Sequence, residues 1–403
     1  MFYKKNWGNP KENVMKKLLS TIICLVMAMS CIGFASCKKK TEYDKTIKVA
    51  MITDYGDITD QSFNQTTYEA CKSFCKSGNY QFKYYRPGDN STAGRVASTK
   101  QAIQDGYDVI VMPGYAFAHT IRAVAGENPN VQFVALDVSE ADLTTTEDYQ
   151  HIDYTVPSNV ACFVYQEELA GYMAGYAAVK EGYKKLGFLG GMAVPAVIRF
   201  GYGYVQGANA AAVEMNIVNE VSMNYVYGGQ FFGDSDITAV MDTWYSNGTE
   251  VVFACGGGIY SSACEAATKK GVNGKVIGVD TDQHGVITKE YKDSGLCITS
   301  AMKGLAATVK TVLTDIVSDR KEETTNWTTK YSAKVKTLGL VSATDMEANY
   351  VQLPLATWSM THFTKDDYKA LVAKMYNGTI TVSNATDVKP TVAISVSYQE
   401  QIK

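Results

Sequence analysis

Histidine is scarce in this 403-residue sequence, and the four present, His119, His151, His284 and His362, are scattered with no H-x-x-x-H or H-E-x-x-H pattern. No zinc site of that kind is written here. No G-x-S-x-G elbow and no G-x-x-x-x-G-K-S/T loop occurs, which removes the usual signatures of serine hydrolysis and nucleotide phosphate transfer. Charge of one sign is missing too: 38 Lys and Arg nearly balance 41 Asp and Glu, for a net charge of −3. Without a long basic run, neither nucleic acid nor an anionic membrane surface is an expected partner. A disulfide framework is also lacking. Cys71, Cys75, Cys162, Cys255, Cys264 and Cys297 follow Cys37 at irregular spacing, and Cys71 and Cys75, four apart on one face of an expected helix, read as small apolar packing residues.

Two motifs come close and fail. Asp280-Thr-Asp-Gln-His284-Gly285 begins like a calcium loop, but its fifth position is His and its twelfth, Tyr291, stands where a bidentate Glu belongs. Gly256-Gly-Gly258-Ile-Tyr-Ser261 approaches G-x-G-x-x-G, yet Ser replaces the third glycine and the segment lies mid-chain.

What is present begins with size. With 46% hydrophobic and 20% charged residues, the chain is long enough for two domain cores. From Met15 it reads MKKLLSTIICLVMAMSCIGFASCKKK, lysines before an apolar stretch that ends in small residues, the layout of an export signal. The Cys directly after Ala35-Ser36 makes this segment resemble a bacterial lipoprotein signal. That resemblance implies acylation of Cys37, a lipid-anchored protein on the extracytoplasmic face of a bacterial cell envelope, a signal over 1–36 and a tether over 37–46.

Apolar runs then alternate with amphipathic ones: IKVAMIT, FKYY, DVIVMP and VQFVALD interleaved with helices near 62–77, 91–105 and 117–127. After a polar stretch a second series follows, with helices near 165–180, 201–215, 235–246 and 260–270 around KLGFLGG, VSMNYVY, EVVFACGG and KVIGVD. This is βαβ alternation, so an α/β fold of two doubly wound parallel-sheet lobes is expected. Residues 296–317 read as a strand and a helix, 319–332 as a solvated turn region and 365–377 as a terminal helix. Ligands of open parallel sheets sit outside the carboxyl ends of the strands, where this sequence places Asp54, Gly114, Asp137, Gly190-Gly191, Gly256-Gly257-Gly258 and Asp280. The first of these ends, DYGDITDQSFNQ (54–65), crowds three acids, a ring and an amide into one turn. It admits two readings, a pocket that grips a polar molecule or one that cuts it. The second would be a calcium-dependent nucleoside hydrolase, although Asp54, Asp57 and Asp60 are spaced three apart without the adjacent acid pair of such enzymes.

VAMITDYGDITDQSFNQ, GYDVIVMPGYAF, NPNVQFVALD, QEELAGYMAGYAA, KLGFLGGMAVPAVIRFGYGYVQGA, GGQFFGD, VVFACGGGIYSSACEAA, VIGVDTDQ and ITSAMKG together resemble, in order, the basic membrane protein family of bacterial lipoproteins, the purine nucleoside receptors of ABC transporters. The resemblance spans about residues 47–310 and implies a type I periplasmic-binding fold, two lobes joined by three crossing segments with the ligand between them. It places 47–160 and 283–322 in the N-terminal lobe and 161–282 and 323–403 in the C-terminal lobe. It implies a nucleoside ligand, ABC permease subunits as partners, no cofactor and no catalysis. Residue by residue, Asp54 would face the ribose, Phe63 would stack on the base and Asn64 would add a polar contact. Asp137 would accept from the base edge, and Phe231 or Phe232 would cover the other face. Gly257 would let the backbone approach the sugar, while Asp280 and Lys303 would hold the ribose hydroxyls. Gln61 departs from the pattern, since the family more often has Lys there.

Overall fold

The computed structural model describes residues 46–54 and 56–403; the expected signal, Cys37 and the tether up to residue 45 lie outside them. Two sheets organise the described chain. The first holds β1 (Lys48–Ile52), β2 (Gln81–Tyr85), β3 (Val109–Pro113), β4 (Gln132–Leu136), β5 (Val160–Tyr165) and β11 (Lys334–Leu338) in the order β11-β5-β4-β3-β1-β2. The second holds β6 (Lys185–Gly190), β7 (Ser222–Tyr227), β8 (Val251–Cys255), β9 (Lys275–Asp280), β10 (Cys297–Lys303), β12 (Val351–Gln352) and β13 (Ser395–Tyr398) in the order β12-β10-β9-β8-β6-β7-β13. Every pairing is parallel except β10 with β12. The inner strands β3, β4 and β8 are buried along their whole length, which is why they read as unbroken apolar runs: helices cover both faces of a parallel sheet.

Those helices are α1 (Phe63–Gly78), α2 (Thr92–Gln104), α3 (Phe117–Val124), α4 (Glu140–Leu143), α5 (Glu167–Glu181), α6 (Pro195–Glu214), α7 (Ser235–Ser246), α8 (Tyr260–Ala267), α9 (His284–Tyr291), α10 (Leu305–Glu322) and α11 (Lys365–Tyr376). Helix α6 begins six residues before the expected start, because Pro195 occupies its first turn, where a fixed φ and a missing N–H cost nothing. All six cysteines of the described chain are buried and unpaired; burial pushes the Cys162 and Cys297 thiols up to about 12.

The expected lobe boundaries need correction. Cys297–Lys303 lies in the second sheet, not with the N-terminal lobe, because β8, β9 and β10 continue one βαβ series. Lys334–Leu338, assigned to the C-terminal lobe, pairs with β5 in the first sheet. The expected solvated turn over 319–332 also differs, since α10 runs to Glu322 and the single wide turn Trp327–Tyr331 buries both of its aromatic ends. The chain passes between the sheets three times, and the passes lie side by side. Gln166 donates its backbone N–H to Leu338 at 2.9 Å, Tyr350 donates to Gly339 at 3.0 Å and Gly304 donates to Tyr350 at 2.7 Å.

Within the second lobe α5 and α6 approach until their backbones touch. A methyl group added at Gly171 or Gly175 would lie 2.1 Å from the carbonyl oxygen of Phe200 or Tyr204, and one at Gly203 or Gly207 would lie 2.2 or 2.0 Å from that of Glu168 or Tyr172. Backbone cannot swing aside as a side chain can, so overpacking here costs about 1–3 kcal/mol. Gly175→Ala is expected to lower unfolding stability by that amount in a urea titration, whereas Gly285→Ala, which meets nothing within 4 Å, leaves it unchanged or slightly higher.

Candidate functional site

The turn after β1 explains its crowded acids. Asp60 accepts from the backbone N–H of Ser62 (2.9 Å), Asn64 (2.9 Å) and Gln65 (3.0 Å) and from the Asn64 amide (3.1 Å), so it caps α1 from outside. Burial pushes its carboxyl above the ordinary value, against the pull of these donors. Ser62, in the N-cap position, is thereby released from capping, and its hydroxyl donates instead to Asp280 Oδ2 of the second sheet at 2.6 Å. Asp57 pairs with Arg86 at 2.7 Å. Asp54 Oδ1 accepts from Gly56 N–H and the Asn64 amide, each at 3.0 Å. Its other oxygen fills the space a side chain at Gly114 would need, a position at φ +128°.

Two aspartates face this turn from equivalent strand ends. Asp137 follows β4 and Asp280 closes β9, and both adopt the left-handed region, at φ 58° and 64°, which aspartate tolerates better than most residues. Between them lies Lys303, the last residue of β10. Its Nζ is 2.6 Å from Asp137, 3.5 Å from Glu167 and 3.6 Å from Asp280, and the side chain is only 3% exposed. Burial works against this ammonium, but the three carboxylates outweigh it and hold its proton well above the ordinary lysine value. The Phe63, Phe200 and Tyr165 rings surround it at 4.9, 5.6 and 5.7 Å to their centroids. Glu167 also holds Arg199 at 2.6 Å. Three acids against two cations leave an excess carboxylate, and burial pushes Asp280 and Glu167 upward despite the cations.

All nine residues expected from the sequence, Asp54, Phe63, Asn64, Asp137, Phe231, Phe232, Gly257, Asp280 and Lys303, line one cavity of about 700 Å³, a volume suited to a small organic ligand. Phe231 is partly buried against Gly191 and Gly256, whereas Phe232 is 50% exposed. The Asn64 amide nitrogen is already engaged by Asp54 and Asp60. Asp137 Oδ1 is buried without a protein partner, leaving an acceptor that the Lys303 bridge does not use. Sequence reasoning missed Ser62, Glu167, Arg199 and Gln283. Gln283 lies three residues past the strand end at Asp280, where nothing local marks it as a residue of the cleft. Its amide accepts from Val279 N–H (3.0 Å) and donates to Gln61 (3.1 Å) and Gly257 (3.3 Å) carbonyls, tying both lobes together.

Replacing Lys303 with Met would leave buried Asp137 and Asp280 without a cation and Glu167 with Arg199 alone, a loss of about 3–5 kcal/mol at neutral pH. Burial raises Asp280 and Glu167, so their protonation in the fold relieves the penalty as pH falls. The stability deficit of Lys303→Met in denaturant titrations is therefore expected to be largest at pH 8 and to shrink toward pH 5.

Comparison with known proteins places this geometry. A lactococcal ABC transporter nucleoside-binding protein BmpA, from Lactococcus lactis subsp. cremoris, is 28% identical over 280 residues, 66% of this chain and 74% of that protein. Basic membrane protein B of Borreliella burgdorferi is 30% identical over 267 residues, 65% and 71% of the two chains. A solute-binding protein of an Aeropyrum pernix ABC transporter shares the fold with a TM-score of 0.61 at 19% identity, over 83% of this chain and 87% of its own. One from Conexibacter woesei does so at 0.60 and 21%, over 84% and 99%. The family profile described as Bmp, ABC transporter substrate-binding protein PnrA-like, matches residues 47–361, and the chain belongs to this basic membrane protein family of ABC transporter substrate-binding proteins.

Proposed function

We propose that the protein captures a nucleoside, with a purine base, and presents it to its ABC permease. The observation that carries this reading is the joint lining of one cavity by aromatic rings and strand-end carboxylates. A nucleoside offers a flat apolar base and a sugar rich in hydroxyls. Phe63 and Phe231 supply stacking faces, Asp137 Oδ1 an acceptor for the base edge, and Asp54 and Asp280 acceptors for the ribose, with Asn64, Gly257 and Lys303 completing the polar wall. Stacking contributes about 1–3 kcal/mol per base and a hydrogen bond to a charged group about 1.5–3 kcal/mol. Against an association cost of about 4 kcal/mol or more, two rings and three such bonds reach micromolar affinity or tighter. The curated relative named as a nucleoside-binding protein supports the same ligand class.

The cavity wall carries seven carboxylates against three cations, and each cation already faces a carboxylate. A phosphate would meet repulsion there, so the ligand is the free nucleoside. The hydrolase reading gains nothing from the turn, since the Asp60 oxygens are occupied by backbone and amide donors and Asp57 by Arg86.

Calorimetric titration with adenosine, guanosine and inosine is expected to give micromolar or tighter binding without release of free base, with or without calcium. Their 5′-monophosphates should bind at least tenfold more weakly, and Asp54→Asn and Asp280→Asn should each weaken the nucleoside tenfold or more. Calcium-dependent base release would overturn the reading in favour of hydrolysis; unchanged affinity in both variants would remove the carboxylates from the site.

We also propose that Cys37, which lies outside the described residues, is acylated and anchors the mature protein to a membrane on its extracytoplasmic face. Labelled palmitate is expected to be incorporated by the native chain and not by Cys37→Ser, and equal labelling of both would refute the anchor.

A further inference from the structure

The family match ends at residue 361, and the chain beyond it does more than decorate the second lobe. Glu181, at the end of α5, accepts the backbone N–H groups of Thr361 (2.9 Å), His362 (2.8 Å) and Phe363 (2.9 Å) and so fixes the entry to α11. The following segment crosses α6, where Gln206 bonds both backbone groups of Ser383 and Asn209 accepts from Ala393 at 2.8 Å. β13 then adds a parallel strand to β7 at the sheet edge. The pairing continues past it: Gln399 N–H donates to Tyr225 at 2.8 Å and Ile402 N–H to Tyr227 at 2.9 Å. This carries the chain along β7 to the loop that bears Phe231 and Phe232.

There the contacts become specific. Gly229, at φ +84°, has no room for a side chain because the Lys403 backbone oxygen would lie 2.9 Å from it. Lys403 Nζ bonds Asp234 Oδ2 and lies 3.3 Å from Asp236. Asp234 caps α7 through the N–H groups of Asp236 and Ile237, each at 3.0 Å, and accepts the Gln230 amide at 2.6 Å. The same amide donates to the Phe232 carbonyl at 3.0 Å. The Phe231 carbonyl in turn accepts from Gly258 N–H at 2.9 Å. A short relay thus runs from Lys403 through Asp234 and Gln230 to the backbone of the aromatic loop.

We infer that residues 399–403 form a strap that holds the loop 228–234, and that Lys403 is a positioning residue for the Phe231 ring on the cavity wall. The inference rests on the ligand reading above for its effect on binding, but not for its effect on the loop. The relay sits at the half-exposed edge of the site, so its contribution is modest and sensitive to salt. Preorganisation of a contact surface acts chiefly on residence time.

The test uses the full chain with Lys403→Ala and Lys403→Arg, guanosine as probe, stopped-flow binding and amide hydrogen exchange. In Lys403→Ala, exchange at 229–234 is expected to rise without ligand. The guanosine off-rate should increase about two- to five-fold at low salt, with on-rate and melting temperature unchanged; Lys403→Arg should restore both, and high salt should narrow the difference. Unchanged exchange and off-rate overturn the strap, as does a fall in melting temperature that accompanies exchange gains across the whole second lobe. If the native protein binds no guanosine, the nucleoside reading fails, while ligand-free exchange at 229–234 still decides the strap.

Discussion

Lys303 carries a buried positive charge that neither sheet could hold alone. It ends β10, and its carboxylate partners arrive from three directions: Asp137 from the first sheet, Asp280 from the neighbouring strand, and Glu167 from the first turn of α5 just past a crossing. An unpaired ammonium at this depth would be expelled or neutralised, so the two strand ends and the crossing are held in register around it. Arg199 shares Glu167, so the cluster of three acids and two cations keeps one carboxylate in excess.

The two sheets repeat one strand order, so β4 and β9 occupy equivalent places and each ends in an aspartate with positive φ. A conformation that costs free energy at two matched positions concentrates at the point where ligands of this topology bind. The same repetition accounts for Gly114 and Gly256, which follow the matched strands β3 and β8 and both lie at positive φ, where added bulk would strike Asp54 or the Gly191 backbone.

Alternation of apolar and amphipathic runs made the α/β class readable, since the inner strands are covered on both faces and most helices on one, with α5 buried almost all round. Strand-end positions were readable for the same reason, which is why Asp54, Asp137 and Asp280 could be gathered before any geometry was known, whereas Lys303, Phe63, Phe231 and Phe232 came from the family resemblance. What stayed hidden depends on contacts across the cleft. Ser62 occupies the N-cap position of α1 while Asp60 does the capping, and the partner of its hydroxyl lies 218 residues away. Gln283 and Arg199 likewise carry no local signal. The lobe boundaries were misjudged where the chain changes sheets, because a strand's own residues say little about which sheet it joins. Polar composition concealed the buried Trp327 and Tyr331, whose rings lie on residues remote in sequence.

The six buried thiols carry a consequence for a protein of an extracytoplasmic family. Only a thiolate attacks a disulfide, and burial keeps these sulfurs protonated and out of reach. Oxidants can therefore meet them only while the chain is open. Any excursion from the native state outside the cytosol risks being sealed by mismatched cross-links, so the working lifetime of the molecule is set by how seldom it opens and not by how readily it would close again.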